Sequence, residues 1–166
     1  AEILLENGHR VTGSDIKDSD QIQRLRARGA DILIGHDPAN IKDADLIVTT
    51  AAAKADNPEL LAGHARGIPI ISRAEMVQKL IQGRQTIAIA GSHGKTTTST
   101  LTTVMSINSS LDPLALIGGN MADLDNRNMV NGDGNLAIIE ADEYADAFLS
   151  YTPSILSLIH ICRCRR

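Results

Sequence analysis

The sequence predicts an α/β protein in which short aliphatic strands alternate with helices, implying parallel sheets joined by right-handed crossovers. Three observations lead there. Apolar runs such as Asp31-Ile-Leu-Ile34 and Leu136-Ala-Ile-Ile-Glu140 recur between segments of helical spacing. Helix limits are marked by turn chemistry, as where Pro58 opens a helical stretch and Gly67 follows it. A glycine-rich loop, Gly91-Ser-His-Gly94-Lys95-Thr96, stands between an apolar run and a helix-like segment.

Taken in order, Glu2–Glu6 reads as the end of a helix stopped by Asn7-Gly8. His9–Asp15 is the first strand and ends in an acid. Asp20–Arg28 is a helix with Ile22 and Leu25 at apolar spacing and Gly29 as its C-terminal cap. Asp31–Ile34 is a strand, Gly35–Ala39 a loop, and Asp45–Thr50 another strand. Pro58–Arg66 is a helix, Pro69–Ile71 a short strand, and Arg73–Ile81 a helix ending before Gly83. A second unit follows, with strand Thr86–Ala90, the glycine loop, helix Thr97–Met105, and strands near Leu114–Ile117 and at Leu136–Glu140. Gly118-Gly119 and the polar stretch Asp123–Gly134 read as loops. A Rossmann-like domain over 1–81 and part of a P-loop-type α/β domain over 82–156 result.

Composition narrows the function classes. The 166 residues are 43% hydrophobic with only three aromatics, the texture of an aliphatic sheet covered by alanine- and leucine-rich helices. A net charge of −4 and no clustered basic face argue against nucleic acid as a partner. No apolar run approaches the ~20 residues of a membrane span. The N-terminal residues carry no secretory pattern, so a cytoplasmic location is expected. Both cysteines, Cys162 and Cys164, fall in the last ten residues beside His160. They are too few for the usual four-ligand metal set and too close to bridge each other. Residues 157–166 therefore read as a non-native tail.

The chemistry concentrates at the loop. Its glycines let backbone N–H groups approach an anion, and the helix dipole adds favourable potential. Lys95 is placed to reach terminal phosphates and Thr96 to ligate magnesium. A strict Walker pattern has glycine where this chain has Ile89, so the loop is a shorter variant. Glu140, at the carboxyl end of its strand, is placed as a second magnesium ligand. Asp142 or Glu143 is the alternative, and a solvated acidic loop is the plainest reading of that segment. His93 sits inside the loop, in reach of a substrate that meets the nucleotide. Asp15 is placed to face a ribose or base, or else to cap a turn. His9, His36 and His64 read as isolated surface residues.

Together these motifs resemble the Mur ligases. The resemblance rests on Gly91-Ser-His-Gly-Lys-Thr-Thr-Thr98, supported by Val11-Thr-Gly-Ser-Asp15, Ile34-Gly-His-Asp37, Asp56-Asn-Pro-Glu59 and Ile68-Pro-Ile-Ile-Ser-Arg73-Ala-Glu-Met76. Asp112-Pro113, Gly118-Gly119 and Glu140-Ala-Asp-Glu-Tyr144 follow in the family's order. It implies an enzyme with a UDP-binding domain, an ATP-binding domain and a C-terminal domain that helps admit an amino acid. ATP phosphorylates a muramic acid carboxylate there, and an amine attacks the acyl phosphate. The resemblance makes Lys95 and His93 catalytic and has Gly91, Ser92, His93, Gly94, Lys95, Thr96 and Thr97 cradle ATP. It puts Mg2+ on Thr96 and Glu140, turns Asp15 towards uridine, and sets Arg73 and His93 towards the nucleotide sugar. The loop histidine and the Arg73-Ala-Glu segment favour the member that joins L-alanine to UDP-N-acetylmuramate in peptidoglycan synthesis. A murein-tripeptide recycling ligase and a non-catalytic nucleotide-binding module are the alternatives. Ser92 stands where the family usually has threonine, and Ala145 precedes the expected Asp146. With the family's opening glycine loop and later domains outside these 166 residues, the expectation for the chain by itself is weak nucleotide binding without ligation.

Overall fold

The computed structural model describes residues 1–121, 124, 127–141 and 151–159. They form two compact units, Ala1–Met76 and Val77–Arg166.

In the first unit, α1 (Glu2–Glu6) ends at Gly8, whose φ of +81° suits glycine, and β1 (Thr12–Asp15) follows. The helix α2 (Asp20–Ala27) starts at Ser19, whose hydroxyl accepts from the Ile22 N–H at 3.4 Å. It returns the chain to β2 (Asp31–Ile34), which pairs parallel with β1 from Thr12 opposite Asp31 to Asp15 opposite Ile34. Ile22, Ala30 and Ile32 are buried together, with Leu5, Val11 and Leu25 packed on them. Arg26 ties the crossover down, its Nη2 donating to the Ile32 carbonyl at 2.7 Å. A 3-10 turn (Pro38–Ile41) leads to β3 (Ile47–Thr49), and α3 (Pro58–Ala65) leads to β4 (Ile70–Ser72), parallel to β3. Helix α4 (Arg73–Ile81) opens on a reciprocal capping box. The Glu75 carboxylate accepts from the Ser72 N–H at 2.7 Å, and the Glu75 N–H donates to the Ser72 hydroxyl at 3.1 Å.

The second unit is one five-stranded sheet in the order β7-β6-β8-β5-β9. Its strands are β5 (Gln85–Gly91), β6 (Leu114–Met121), β7 (Arg127–Asn131), β8 (Leu136–Glu140) and β9 (Ile155–Ile159), with helix α5 (Lys95–Asn108) after β5. All pairings are parallel except β6 with β7. Ile89, Ala115 and Ile138 are at most 1% exposed and anchor the core, each large aliphatic side chain stabilising the fold by about 1.5–3 kcal/mol. Among the buried positions of α5 are the small residues Ser99, Thr103 and Ser106. The Thr103 and Ser106 hydroxyls donate to carbonyls one turn back at 2.8 Å, so they enter the interior without an orphaned proton.

Four sequence expectations change. Gly118-Gly119 is not a loop but part of β6, at the place where the register with β7 shifts between Leu116 and Met121. The segment Asp123–Gly134 is not wholly loop, because Arg127–Asn131 forms β7. That strand is polar at most positions and buries chiefly Met129, 3% exposed, so the alternation that marks a strand is faint. Helix α5 begins at Lys95 instead of Thr97 and runs on to Asn108, because Gly94 itself takes the N-cap position. Ser157–Ile159, expected to belong to the tail, lie in β9. His160, Cys162 and Cys164 fall outside the described residues, as do Asp142 and Glu143. No helix among the described residues is long and apolar enough to cross a membrane.

Met129→Ala should cost about 2–4 kcal/mol in denaturant unfolding if β7 closes the sheet as described. In the first unit, the Lys42 ammonium bonds to Asp31 and holds its carboxyl below the usual range. The bond therefore stabilises the fold above the ordinary aspartate value, and that contribution is lost as pH falls through the depressed one. Lys42→Ala should raise the Asp31 midpoint in a carboxyl NMR titration.

Candidate functional site

The loop after β5 is built to leave backbone donors open. Gly91 has φ +138° and Gly94 has φ +80°, both in the region that favours glycine. Gly94 caps α5 without a side chain, so the N-cap residue itself brings no capping oxygen to the first turn of the helix. The chain closes only at the Thr98 N–H, which donates to the Gly94 carbonyl at 2.9 Å. At Gly91 a second constraint applies. A Cβ there would lie 1.9 Å from the Ile159 carbonyl oxygen, because β9 runs alongside.

Ser92, His93, Gly94, Lys95, Thr96, Thr97 and Glu140 line one open cleft of about 280 Å³. The Lys95 ammonium donates to the Gly91 carbonyl at 2.5 Å, folding back across the loop. The Thr96 hydroxyl lies 3.1 and 3.2 Å from the two carboxylate oxygens of Glu140. The Gly118 N–H donates to the same carboxylate at 2.8 Å. Helix α5, β8 and β6 thus each supply one member of this contact.

The last member escaped the sequence reading. A Cβ at Gly118 would sit 3.1 Å from a Glu140 oxygen, and one at Gly119 would sit 2.9 Å from the Thr96 methyl. The glycine pair exists so that the β6 backbone can approach Thr96 and Glu140. The signal available was a double glycine directly after an apolar strand, which marks close backbone approach as well as a turn.

This arrangement fits a magnesium-bound nucleotide. Magnesium takes few protein ligands and keeps waters and phosphate oxygens for the rest, so one hydroxyl beside one carboxylate is a sufficient protein share. Among the described residues no three His, Cys, Asp or Glu side chains gather into a cage of their own. The open helix N-terminus and the Lys95 ammonium face the same cleft and suit phosphate.

Asp15 and Arg73 belong to the first unit. Asp15 is exposed at the carboxyl end of β1, where its carboxylate accepts from the Lys17 N–H at 3.1 Å. Arg73 is exposed as the first residue of α4. Next to Asp15 stands a cluster that corrects the reading of His36 as isolated. The Ser14 hydroxyl is 2.9 Å from His36 Nδ1 and donates to Glu59 at 2.6 Å. Asn40 Nδ2 donates to Glu59 at 2.6 Å, and the Asp37 N–H does so at 3.3 Å.

The profile described as Mur ligase family, catalytic domain, matches residues 1–85. The chain is 45% identical over 162 residues to UDP-N-acetylmuramate–L-alanine ligase of Alkaliphilus metalliredigens, covering 97% of the chain and 35% of that protein. It is 44% identical over 161 residues to the ligase of the same name from Sulfurihydrogenibium sp., with the same coverage. It therefore spans about a third of the length of the curated relatives it matches. Among solved structures it resembles the UDP-N-acetylmuramate-alanine ligase MurC of Thermotoga maritima, with a TM-score of 0.83 and 29% identity over 93% of this chain and 36% of that one. A murein peptide ligase from Psychrobacter arcticus gives 0.84 and 26% over 96% and 40%.

Gly119→Val should push Thr96 away from Glu140. Expected are displaced NMR signals for both residues and a loss of about 1–3 kcal/mol of stability, the usual cost of overpacking.

Proposed function

Starting from the fact that this chain belongs to the Mur ligase family, we propose that it is part of an ATP-dependent ligase joining L-alanine to UDP-N-acetylmuramate in peptidoglycan synthesis. Residues 1–81 form the domain for the nucleotide sugar, and 82–156 begin the ATP-binding domain. The enzyme works in the cytoplasm on small-molecule substrates, without nucleic acid or membrane. The observation that carries the reading is the glycine loop beside the Thr96–Glu140 contact, on a chain 45% identical to a ligase of that name.

The residue roles follow from the family resemblance. Gly91, Ser92, Gly94 and Thr97 line the phosphate path with backbone N–H groups. Lys95 exchanges the Gly91 carbonyl for the γ-phosphate and offsets charge on the moving phosphoryl group. Thr96 and Glu140 would hold Mg2+. His93 and Arg73 meet the nucleotide sugar, and Asp15 meets its uridine. When bound, ATP supplies the phosphoryl group that turns the substrate carboxylate into an acyl phosphate. The L-alanine amine then forms the amide, and inorganic phosphate leaves.

The test is phosphate release by the full-length enzyme with UDP-N-acetylmuramate and ATP. Release should depend on L-alanine, and Lys95→Ala should lower kcat by about a thousandfold. Dependence on a tripeptide in place of L-alanine would assign the recycling ligase. Unchanged release in the Lys95 variant would overturn the proposed site.

A further inference from the structure

The side-chain cluster at the carboxyl ends of β1 and β2 holds more order than a surface rim needs. Its hub is Glu59, in the first turn of α3, with only 15% of its side chain exposed. The Asn57 side chain caps that helix by accepting from the Glu59 N–H at 2.9 Å, which fixes where the carboxylate starts. Three donors from three places then converge on it. They are the Ser14 hydroxyl from β1, the Asp37 N–H after β2, and Asn40 from the 3-10 turn. Asn40 also donates to the Gly35 carbonyl at 3.0 Å, so the whole 35–40 segment is tied to one carboxylate.

Proton counting adds a consequence. A serine hydroxyl has one proton, and Ser14 gives it to Glu59. Towards His36 the same oxygen can only accept, so His36 Nδ1 must carry the hydrogen in that 2.9 Å contact. In the neutral ring the other nitrogen, Nε2, is then an acceptor. Serine bridges the histidine and the carboxylate here. In a nucleophilic triad the histidine would bridge and would take the serine proton. This cluster does not activate Ser14; it orients His36.

We propose that Glu59 is a positioning residue that, through Ser14, holds His36 in the Nδ1–H tautomer, presenting an acceptor nitrogen at the carboxyl-end rim of β1 and β2 in the nucleotide-sugar domain. The nitrogen so presented is an acceptor, which suits an N–H or O–H donor of a nucleoside. The proposal rests on the reading that residues 1–81 bind the nucleotide sugar.

The test uses the full-length enzyme labelled with 15N. Long-range 1H–15N couplings should show His36 in the Nδ1–H form. Glu59→Ala and Ser14→Ala should each release it to the Nε2–H form usual for free histidine. They should also weaken UDP-N-acetylmuramate binding, read by calorimetry, by about tenfold. Glu59→Gln keeps an acceptor for the Ser14 proton and should retain the tautomer. A purely structural role would lower the melting temperature without changing the couplings. His36 found in the Nε2–H form in the unmodified chain, or unmoved by Glu59→Ala, overturns the proposal. If Asp15→Asn and Glu59→Ala both leave affinity unchanged while the couplings respond as stated, the positioning of His36 stands and the assignment of the nucleotide sugar to this domain falls.

Discussion

The parallel register of β5 against β8 decides where Glu140 stands relative to the glycine loop. Ile89 faces Glu140 across that ladder, two residues before the strand ends at Gly91. The carboxylate therefore emerges level with the first turn of α5, within hydrogen-bond distance of Thr96. A slip of one residue would turn Glu140 to the opposite face and bring Ile139 to the cleft. The register is held by side chains buried to 1% exposure or less, Ile89, Ile138 and Ile139 among them, so such a slip would also empty the core. The chemistry of the cleft and the packing of the sheet are set by one alignment.

Most of the fold was legible because its strands are short, apolar and bounded by turn residues. Glu2–Glu6, Asp31–Ile34, Arg73–Ile81 and Leu136–Glu140 begin and end where their sequence signals put them. Strand β7 was not legible, since an antiparallel edge strand need not be apolar and Arg127-Asn-Met-Val-Asn131 carries little of the period-two pattern. Gly118-Gly119 misled for a different reason. Glycine signals both chain reversal and close approach, and only the neighbours from α5 and β8 show which is meant.

The grouping of the loop with Glu140 could be read in sequence because each residue sits at the end of an element whose type was clear. The Ser14, His36, Asn40 and Glu59 cluster could not. Its members are separated by up to 45 positions and come from a strand, a loop, a 3-10 turn and a helix. No periodicity links them. They are brought together by the parallel pairing of β1 with β2 and by the Asn57 cap that sets the start of α3.

Gly91 carries a final consequence. Its missing side chain serves two masters, the turn proposed for phosphate on one side and the carbonyl of Ile159 in β9 on the other. A substitution there would collide with neighbouring backbone whether or not a nucleotide ever arrived. In a mutational screen, intolerance at this position would thus be expected even in descendants that had abandoned nucleotide binding altogether. Persistence of Gly91 in a lineage is consequently a record of sheet architecture first, and the proposed chemistry would be recorded independently by Lys95, Thr96 and Glu140.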